Sequence, residues 1–300
     1  MDLVQYSDFD TITIGDYNVE EAEKVAQWLD DDRVDVVKAD VNDVEATAQL
    51  MRGYDVVMDG TQITLNGRST ECIAKAGCSG VNLNGFGEEN QWNELFESAG
   101  KACVPGFGMT PGVTQMMAMH LSNQLDTVEE VYVSHGAFRP FAFSKSITET
   151  TTYEYDPELK SRVVFEDGEF IQVPPFARPR EIKLPQPYGD TVQYIIPHSE
   201  TITLSQALKD KGVRLIEVRG TWPKQNMTLV RGLYDYGILR NPEIQVGNQK
   251  VGLMTLIGDY LVNSEEGKKT ELYGYSLHVE VAGIKDGVKK RGIIYHTHPA

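Results

Sequence analysis

The chain is poor in the features that mark several large classes of protein. It carries only three cysteines in 300 residues, Cys72, Cys78 and Cys103. A chain of this length needs no disulfide staples to hold a core. The cysteine spacing fits no zinc pattern, so the three are read as thiols of a reducing compartment. No apolar run approaches the roughly 20 residues that span a bilayer. The start, MDLVQYSDFD, lacks the positive residues and apolar stretch of a signal peptide. Cations are scarce, with 28 Lys and Arg against 44 Asp and Glu and a net charge of −16. Binding to a phosphate backbone needs clustered cations, and the short KKR at 289–291 reads as the solvated face of a hairpin. The expectation is a soluble cytoplasmic protein with neither nucleic acid nor membrane as partner.

What is present is alternation. Thr11 to Ile14 form an apolar strand ending at Gly15-Asp16, and Ala22, Val25, Ala26 and Leu29 mark one face of the helix that follows. Strands are expected at 34–40, 54–60, 79–85 and 102–106, with helices at 43–51, 67–77, near 88–100 and at 111–125. Such alternation implies parallel strands joined by right-handed crossovers, with ligands at the carboxyl ends of the strands. This predicts a Rossmann-like, doubly wound α/β domain over residues 1–125.

The polar residues at those strand ends suit a dinucleotide. Asp16 is placed to accept hydrogen bonds from an adenosine ribose, and the following Tyr17-Asn18 offers no cation for a 2′-phosphate, so NAD is preferred to NADP. Asp40 and Val41 are placed near the adenine, while Gly60 and Thr61 allow the dinucleotide backbone to approach. The alternative role for Asp16 is as N-cap of the next helix. A Gly-x-Gly-x-x-Gly loop belongs about 20 residues before the acidic residue, and counting back from Asp16 passes residue 1. The domain is therefore expected to be N-terminally incomplete, lacking its first strand and glycine loop. In-frame sequence ahead of Met1 is expected to encode both. The later GFGMTPG (106–112) has the wrong spacing and reads as a tight turn before a helix, near the substrate end of the cleft.

Beyond residue 125 the texture changes to an α+β domain with a largely antiparallel sheet, over 126–300. Strands are expected at 128–138, 162–173, 190–197 and 213–222, with hairpin turns at Asp167-Gly168 and at KDG 285–287. Five prolines mark 174–187 as an extended surface loop. Helices are expected from Thr203 to Lys211 and near 226–236 and 253–262.

The stretches TITIGDYNVEEAEKVA, VDVVKADVNDVEATAQLMRGYDVVMDG, VPGFGMTPGVTQMMAMHL, FEDGEFIQVPP and IPHSETITLSQALKDKGVRLIEVRGTW, in that order, resemble the saccharopine dehydrogenase-like oxidoreductases, including the lysine 6-dehydrogenase and saccharopine reductase branches. The resemblance implies a Rossmann domain, a second α+β domain that shapes the substrate site and mediates homodimers, and hydride transfer between NAD(P) and an amine-bearing carbon through an imine. The chain departs from the family pattern at its start, at its end, where the return segment to the first domain is expected, and at Asn82, where many members have Asp. The departures at the two ends imply a fragment, or a gene model with a late start and an early stop.

Amine oxidation needs a base, and an amino-acid substrate needs a cation for its carboxylate. His198 and Glu200, in a polar break between strand and helix, are the candidate acid–base pair. Arg139 and Arg219, near strand ends, are candidate carboxylate anchors, and Trp222 is a candidate pocket wall or core residue. His296 and His298 share a strand face, but no further metal ligand is near them in sequence; His120, His135 and His278 are read as structural. Two other functions stand beside the dehydrogenase. One is an S-adenosylmethionine-dependent methyltransferase, since an acidic residue after a strand suits that ribose too; the other is a non-catalytic Rossmann scaffold.

Overall fold

A computed structural model describes residues 1–62, 65–83 and 88–299. They divide into two compact units, Met1–Phe107 and Gly108–Ala300. The first unit runs α1 (Asp2–Tyr6), β1 (Ile12–Asp16), α2 (Val19–Leu29), β2 (Val34–Lys38), α3 (Val44–Met51), β3 (Val56–Asp59), α4 (Asn66–Ala76), β4 (Ser79–Asn82), α5 (Asn93–Ala99) and β5 (Cys103–Val104). Local chemistry sets these limits. The Asn18 and Asp43 side chains accept the Glu21 and Ala46 N–H groups and open α2 and α3. Gly77, at φ 71°, closes α4 in the left-handed conformation. The outer end of the strand expected at 79–85 lies outside the described residues.

All pairings in this unit are parallel, as expected, but they form two sheets, β1–β2 and β3–β4–β5. A side-chain contact, Thr13 Oγ1 to the Tyr54 hydroxyl at 2.6 Å, links the two pieces.

The second unit comprises α6 (Val113–Ser122), β6 (Thr127–Phe138), α7 (Lys145–Tyr153), β7 (Val163–Glu166), β8 (Glu169–Gln172), β9 (Arg180–Lys183), β10 (Asp190–Ile195), α8 (Glu200–Ala207), β11 (Leu215–Thr221), α9 (Lys224–Asp235), β12 (Glu243–Val246), β13 (Gln249–Gly252), α10 (Leu253–Asn263), β14 (Gly274–Lys285) and β15 (Val288–Pro299). Its main sheet has the order β15-β14-β6-β11-β10-β9, with the β7–β8 hairpin attached to β11. Every pairing in it is antiparallel except β6 with β11.

Strand alternation divides the two faces of this sheet. Val131, Val133, Ile216, Val218, Leu277, Val279 and Val281 point into the core with residues of α6, α8, α9 and α10. On the other face, Tyr132 lies between Glu280 and Glu217, and Ser134 lies between His278 and Arg219. Helix α6 adds Met117, Ala118 and Leu121 to this same core. The unit boundary therefore falls at 107/108, not at the expected 125/126.

Four features of this unit depart from expectation. Within the presumed loop 174–187, β9 pairs with β10 and buries Ile182 and Leu184, its flanking Pro179 and Pro185 standing where no ladder donor is needed. Helix α7 forms from a threonine-rich stretch of low helix propensity. Ser144 Oγ caps its start, and Thr148, Thr151 and Thr152 donate back to carbonyls one turn earlier. Helix α8 begins at Glu200, not Thr203, and the β12–β13 hairpin has no counterpart in the sequence reading. Among the described residues, no helix is long and apolar enough to cross a membrane.

Candidate functional site

The nucleotide-facing candidates of the first unit lie at strand ends. Asp16 is the exposed last residue of β1, and its Oδ1 accepts the Asn18 N–H at 2.8 Å. The N-cap of α2 is Asn18, so Asp16 is not the capping residue. Asp40, after β2, folds an Asx turn by accepting the backbone and side-chain N–H groups of Asn42, with Val41 half-buried beside it. Gly60 is exposed, and Thr61 Oγ1 is buried with no hydrogen-bond partner among the described residues. The exposed Asp16 carboxylate and the unsatisfied Thr61 hydroxyl fit a polar ligand such as a dinucleotide. Asp59, which the sequence reading did not single out, anchors that turn by accepting the Thr61 N–H and the Asn66 side chain.

The structure also supplies a cation that linear reading did not count. The β1–β2 register sets Lys38 opposite Asp16, and its ammonium lies 5.5 Å from the centre of the Tyr17 ring. Asn82 uses both ends of its amide, donating to Thr70 Oγ1 and accepting the Gly106 N–H. A carboxylate there would lose the first donor.

The second unit assembles a charged centre in its interior. Glu200, at the first turn of α8, has no solvent exposure. Its Oε1 accepts the hydroxyls of Thr110 and Thr114, both at 2.7 Å, and its Oε2 lies 3.3 Å from His198 Nδ1. The loop that delivers Thr110 is closed by Gly112, at φ 123°, where a Cβ would come within 2.2 Å of the Gly108 carbonyl oxygen. GFGMTPG is thus the tight turn expected, and it carries the first threonine.

The His198 ring packs 5.2 Å from that of His135, and only 12% of its side chain is exposed. Burial works against charge on His198 and Glu200 alike. The attraction within the pair and the threonine hydrogen bonds outweigh it, so His198 is raised and Glu200 is lowered from their ordinary values. Burial and the His198 charge push His135 down to about 3, so it stays neutral. His198 Nδ1 faces Glu200 Oε2 and, at 3.5 Å, Thr110 Oγ1, which leaves Nε2 as the nitrogen available for proton exchange.

Arg139 belongs to the same neighbourhood, since its charge acts on His135 together with those of His198 and Glu200. It donates to the Pro140 carbonyl at 3.5 Å and to Thr151 Oγ1 at 3.2 Å. Among the described residues it has no carboxylate partner. Arg219 does not join them. It sits on the other side of β11 from Gly220, the residue that faces His135, and its guanidinium bonds Glu217 at 2.6 Å. Trp222 is 3% exposed and packs edge-on against Tyr155 in the core. Among the described residues no group of three or more His, Cys, Asp or Glu could hold a metal. His296 instead meets the Tyr275 hydroxyl.

Thr110, Thr114 and Glu154 were not singled out from the sequence, and His135 was read as structural only. The threonine pair stands 86 to 90 residues from Glu200, a separation that leaves no local pattern.

Residues 1–104 match the family described as the saccharopine dehydrogenase NADP binding domain. Among solved structures, the apo saccharopine dehydrogenase (L-Glu forming) of Saccharomyces cerevisiae superposes with a TM-score of 0.67 at 12% identity, over 98% of this chain and 81% of that one. Looser likenesses include GenD2 of gentamicin A biosynthesis in complex with NAD, at TM-score 0.39 and 14% identity over 96% of this chain and 65% of that one. Another is the C. glutamicum DAP dehydrogenase in complex with DAP, at TM-score 0.40 and 11% identity over 96% and 83%. The N-terminal third, with its parallel strands and acidic strand ends, is thus similar to a saccharopine dehydrogenase NADP binding domain, and the chain shares its fold with the yeast protein.

Proposed function

We propose that this protein moves a hydride between NAD and the amine-bearing carbon of an amino acid of the saccharopine or lysine type. The observation that carries the reading is the buried His198–Glu200 pair held by two threonine hydroxyls. Such a fixed acid–base couple is what proton removal from an ammonium requires. The fold shared with the L-Glu-forming saccharopine dehydrogenase supports an oxidoreductase. Hydride exchange is the chemistry that a nicotinamide supplies when bound. Asp16 would hold the ribose, Asp40 and Val41 the adenine, and Gly60 and Thr61 the dinucleotide backbone. In the second unit Arg139 holds the substrate carboxylate, and His198 takes the amine proton during oxidation or returns it during reduction.

Because the Glu200 carboxylate raises His198 from its ordinary value, the base form prevails only at higher pH than for a free imidazole. Oxidation of L-lysine or saccharopine is expected to accelerate with pH through a value above 6.5, and imine reduction to slow. His198→Asn is expected to lower kcat by about 10²–10⁴ and to flatten this limb of the pH–rate profile. A retained limb in the variant would remove His198 from the chemistry.

NADP is a second reading, favoured by Lys38 beside Tyr17. Thermal stability is to be followed while NAD, NADP and S-adenosylmethionine are titrated. Asp16→Asn is expected to weaken NAD by about tenfold, the loss of a hydrogen bond to a charged group, whereas Lys38→Ala is expected to weaken NADP alone. Stabilisation by S-adenosylmethionine and by neither dinucleotide would sink the dehydrogenase reading. No response to any of the three would favour the non-catalytic scaffold.

A further inference from the structure

Two oppositely charged groups in the second unit are withdrawn from solvent without being paired. Glu154, the residue that ends α7, is 7% exposed, and its Oε2 has no hydrogen-bond partner among the described residues. Arg139 is half-buried and bonds only an oxygen of Pro140 and one of Thr151. Among the described residues, neither forms an ion pair. Arg139 nevertheless reaches Thr151 of α7, three residues before Glu154, and follows closely on His135, whose ring packs 5.2 Å from that of His198; the charges of Arg139 and His198 both act on Glu154. Buried ions are ordinarily paired, because an unpaired one forfeits its hydration without compensation. Arg162, fully buried beside them, does not supply the missing partner. Its guanidinium is spent on the carbonyl oxygens of Glu154 and Asp156.

A carboxyl group at a helix C-terminus is further disfavoured as an anion by the last carbonyls of that helix. Burial indeed pushes Glu154 up to about 7 against the pull of His198, Arg139 and Arg162. A group poised in this way gains most from a cation that arrives with the substrate.

We infer that Glu154 receives the α-ammonium of an amino acid whose carboxylate lies on Arg139, so that the two unpaired groups form a zwitterion site beside His198. The inference rests on the amino-acid reading above and names the group that recognises the amine. Arg139 alone would accept any carboxylic acid. Glu154 adds discrimination, since an acid lacking the amine leaves its carboxyl unpaired.

The test uses matched pairs that differ only in the α-ammonium, L-lysine with 6-aminohexanoate and L-glutamate with glutarate, titrated calorimetrically into the wild-type protein. The wild type is expected to prefer the amino acid in at least one pair. Glu154→Gln is expected to weaken that amino acid by tenfold or more and to leave its des-amino partner within twofold. Arg139→Met is expected to weaken both members alike. Should Glu154→Gln fail to fold, as judged by thermal unfolding, Glu154→Asp takes its place with an expected loss of about threefold for the amino acid alone. Equal losses for both members, or none, would show Glu154 to be structural and leave the amino-acid reading standing. If no compound of either pair bound the wild type, the amino-acid reading and the site would fall together.

Discussion

Glu200→Gln is expected to abolish most activity while Glu200→Ala is expected to unfold the protein more easily, and the contrast between them tests the centre. In the wild type the carboxylate lies 3.3 Å from His198 Nδ1, which favours a proton on that nitrogen, and accepts two threonine hydroxyls. A glutamine fills the same volume and still accepts from Thr110 and Thr114 through its carbonyl oxygen. Its amide would then donate to Nδ1, forcing the proton to Nε2, where the base must be free. A loss in kcat of about a hundredfold or more is expected, with the fold retained. Activity within threefold of wild type would exclude the dyad as acid and base.

Alanine removes the counterion altogether. Breaking a buried ion pair ordinarily costs about 3–5 kcal/mol. His198 can shed its proton, so the cost is expected at the lower end of that range, measured by chemical denaturation near pH 6. The sign of each contribution sets its pH window. Glu200 is lowered in the folded state, so its contribution is complete above about 4.5 and fades as pH falls through the lowered value. His198 is raised, so its contribution is complete below about 6.5 and fades as pH rises through the raised value. The stability difference between wild type and Glu200→Ala is therefore expected to be greatest between these limits and to shrink on both sides. A difference independent of pH would mean that the pair is not ionised.

Glu217→Ala is expected to match or exceed that loss, at about 3–5 kcal/mol. Glu217 is 5% exposed and receives Arg178 at 2.8 Å and Arg219 at 2.6 Å. Arg219 is itself 3% exposed, with one nitrogen, Nη1, already lacking a partner. A guanidinium does not escape by losing its proton as an imidazole does, so the full cost of an unpaired buried charge remains. The control is Glu166→Ala. Glu166 also binds Arg178, but its side chain is 41% exposed, and a loss under about 1 kcal/mol is expected there. Urea midpoints of the two variants decide the matter, and similar values would mean that the polar face of the sheet is hydrated rather than desolvated. The double replacement Glu217→Leu with Arg219→Met is expected to cost less than Glu217→Ala alone, because no charge is then stranded.

Much of the fold could be read in the chain before its structure. Alternating apolar runs and helical periods located the parallel strands of the first unit, and Asp167-Gly168 and Asp286-Gly287 marked two hairpins of the second. His198 and Glu200 were legible as a pair because they are two residues apart. Helix α7 was not, since its threonines disfavour a helix until Ser144 caps it and their hydroxyls bond back along the turn. With α7 went Glu154, the residue it carries to the buried site. Arg219 and Arg139 looked alike as arginines near strand ends, but Arg219 lies within β11 on the face opposite Gly220, whereas Arg139 lies in the bend just after β6.

Period, turn chemistry and residue type, properties of neighbours in the chain, thus determined the strands, the helices and the kinds of chemistry on offer. Which charged groups meet was decided by register and by packing across long separations. Lys38 reaches Tyr17 because β2 pairs with β1, and Thr110 reaches Glu200 because a glycine-closed loop seats it there. An ion's energy depends on what has displaced the water around it, and only the folded chain specifies that environment.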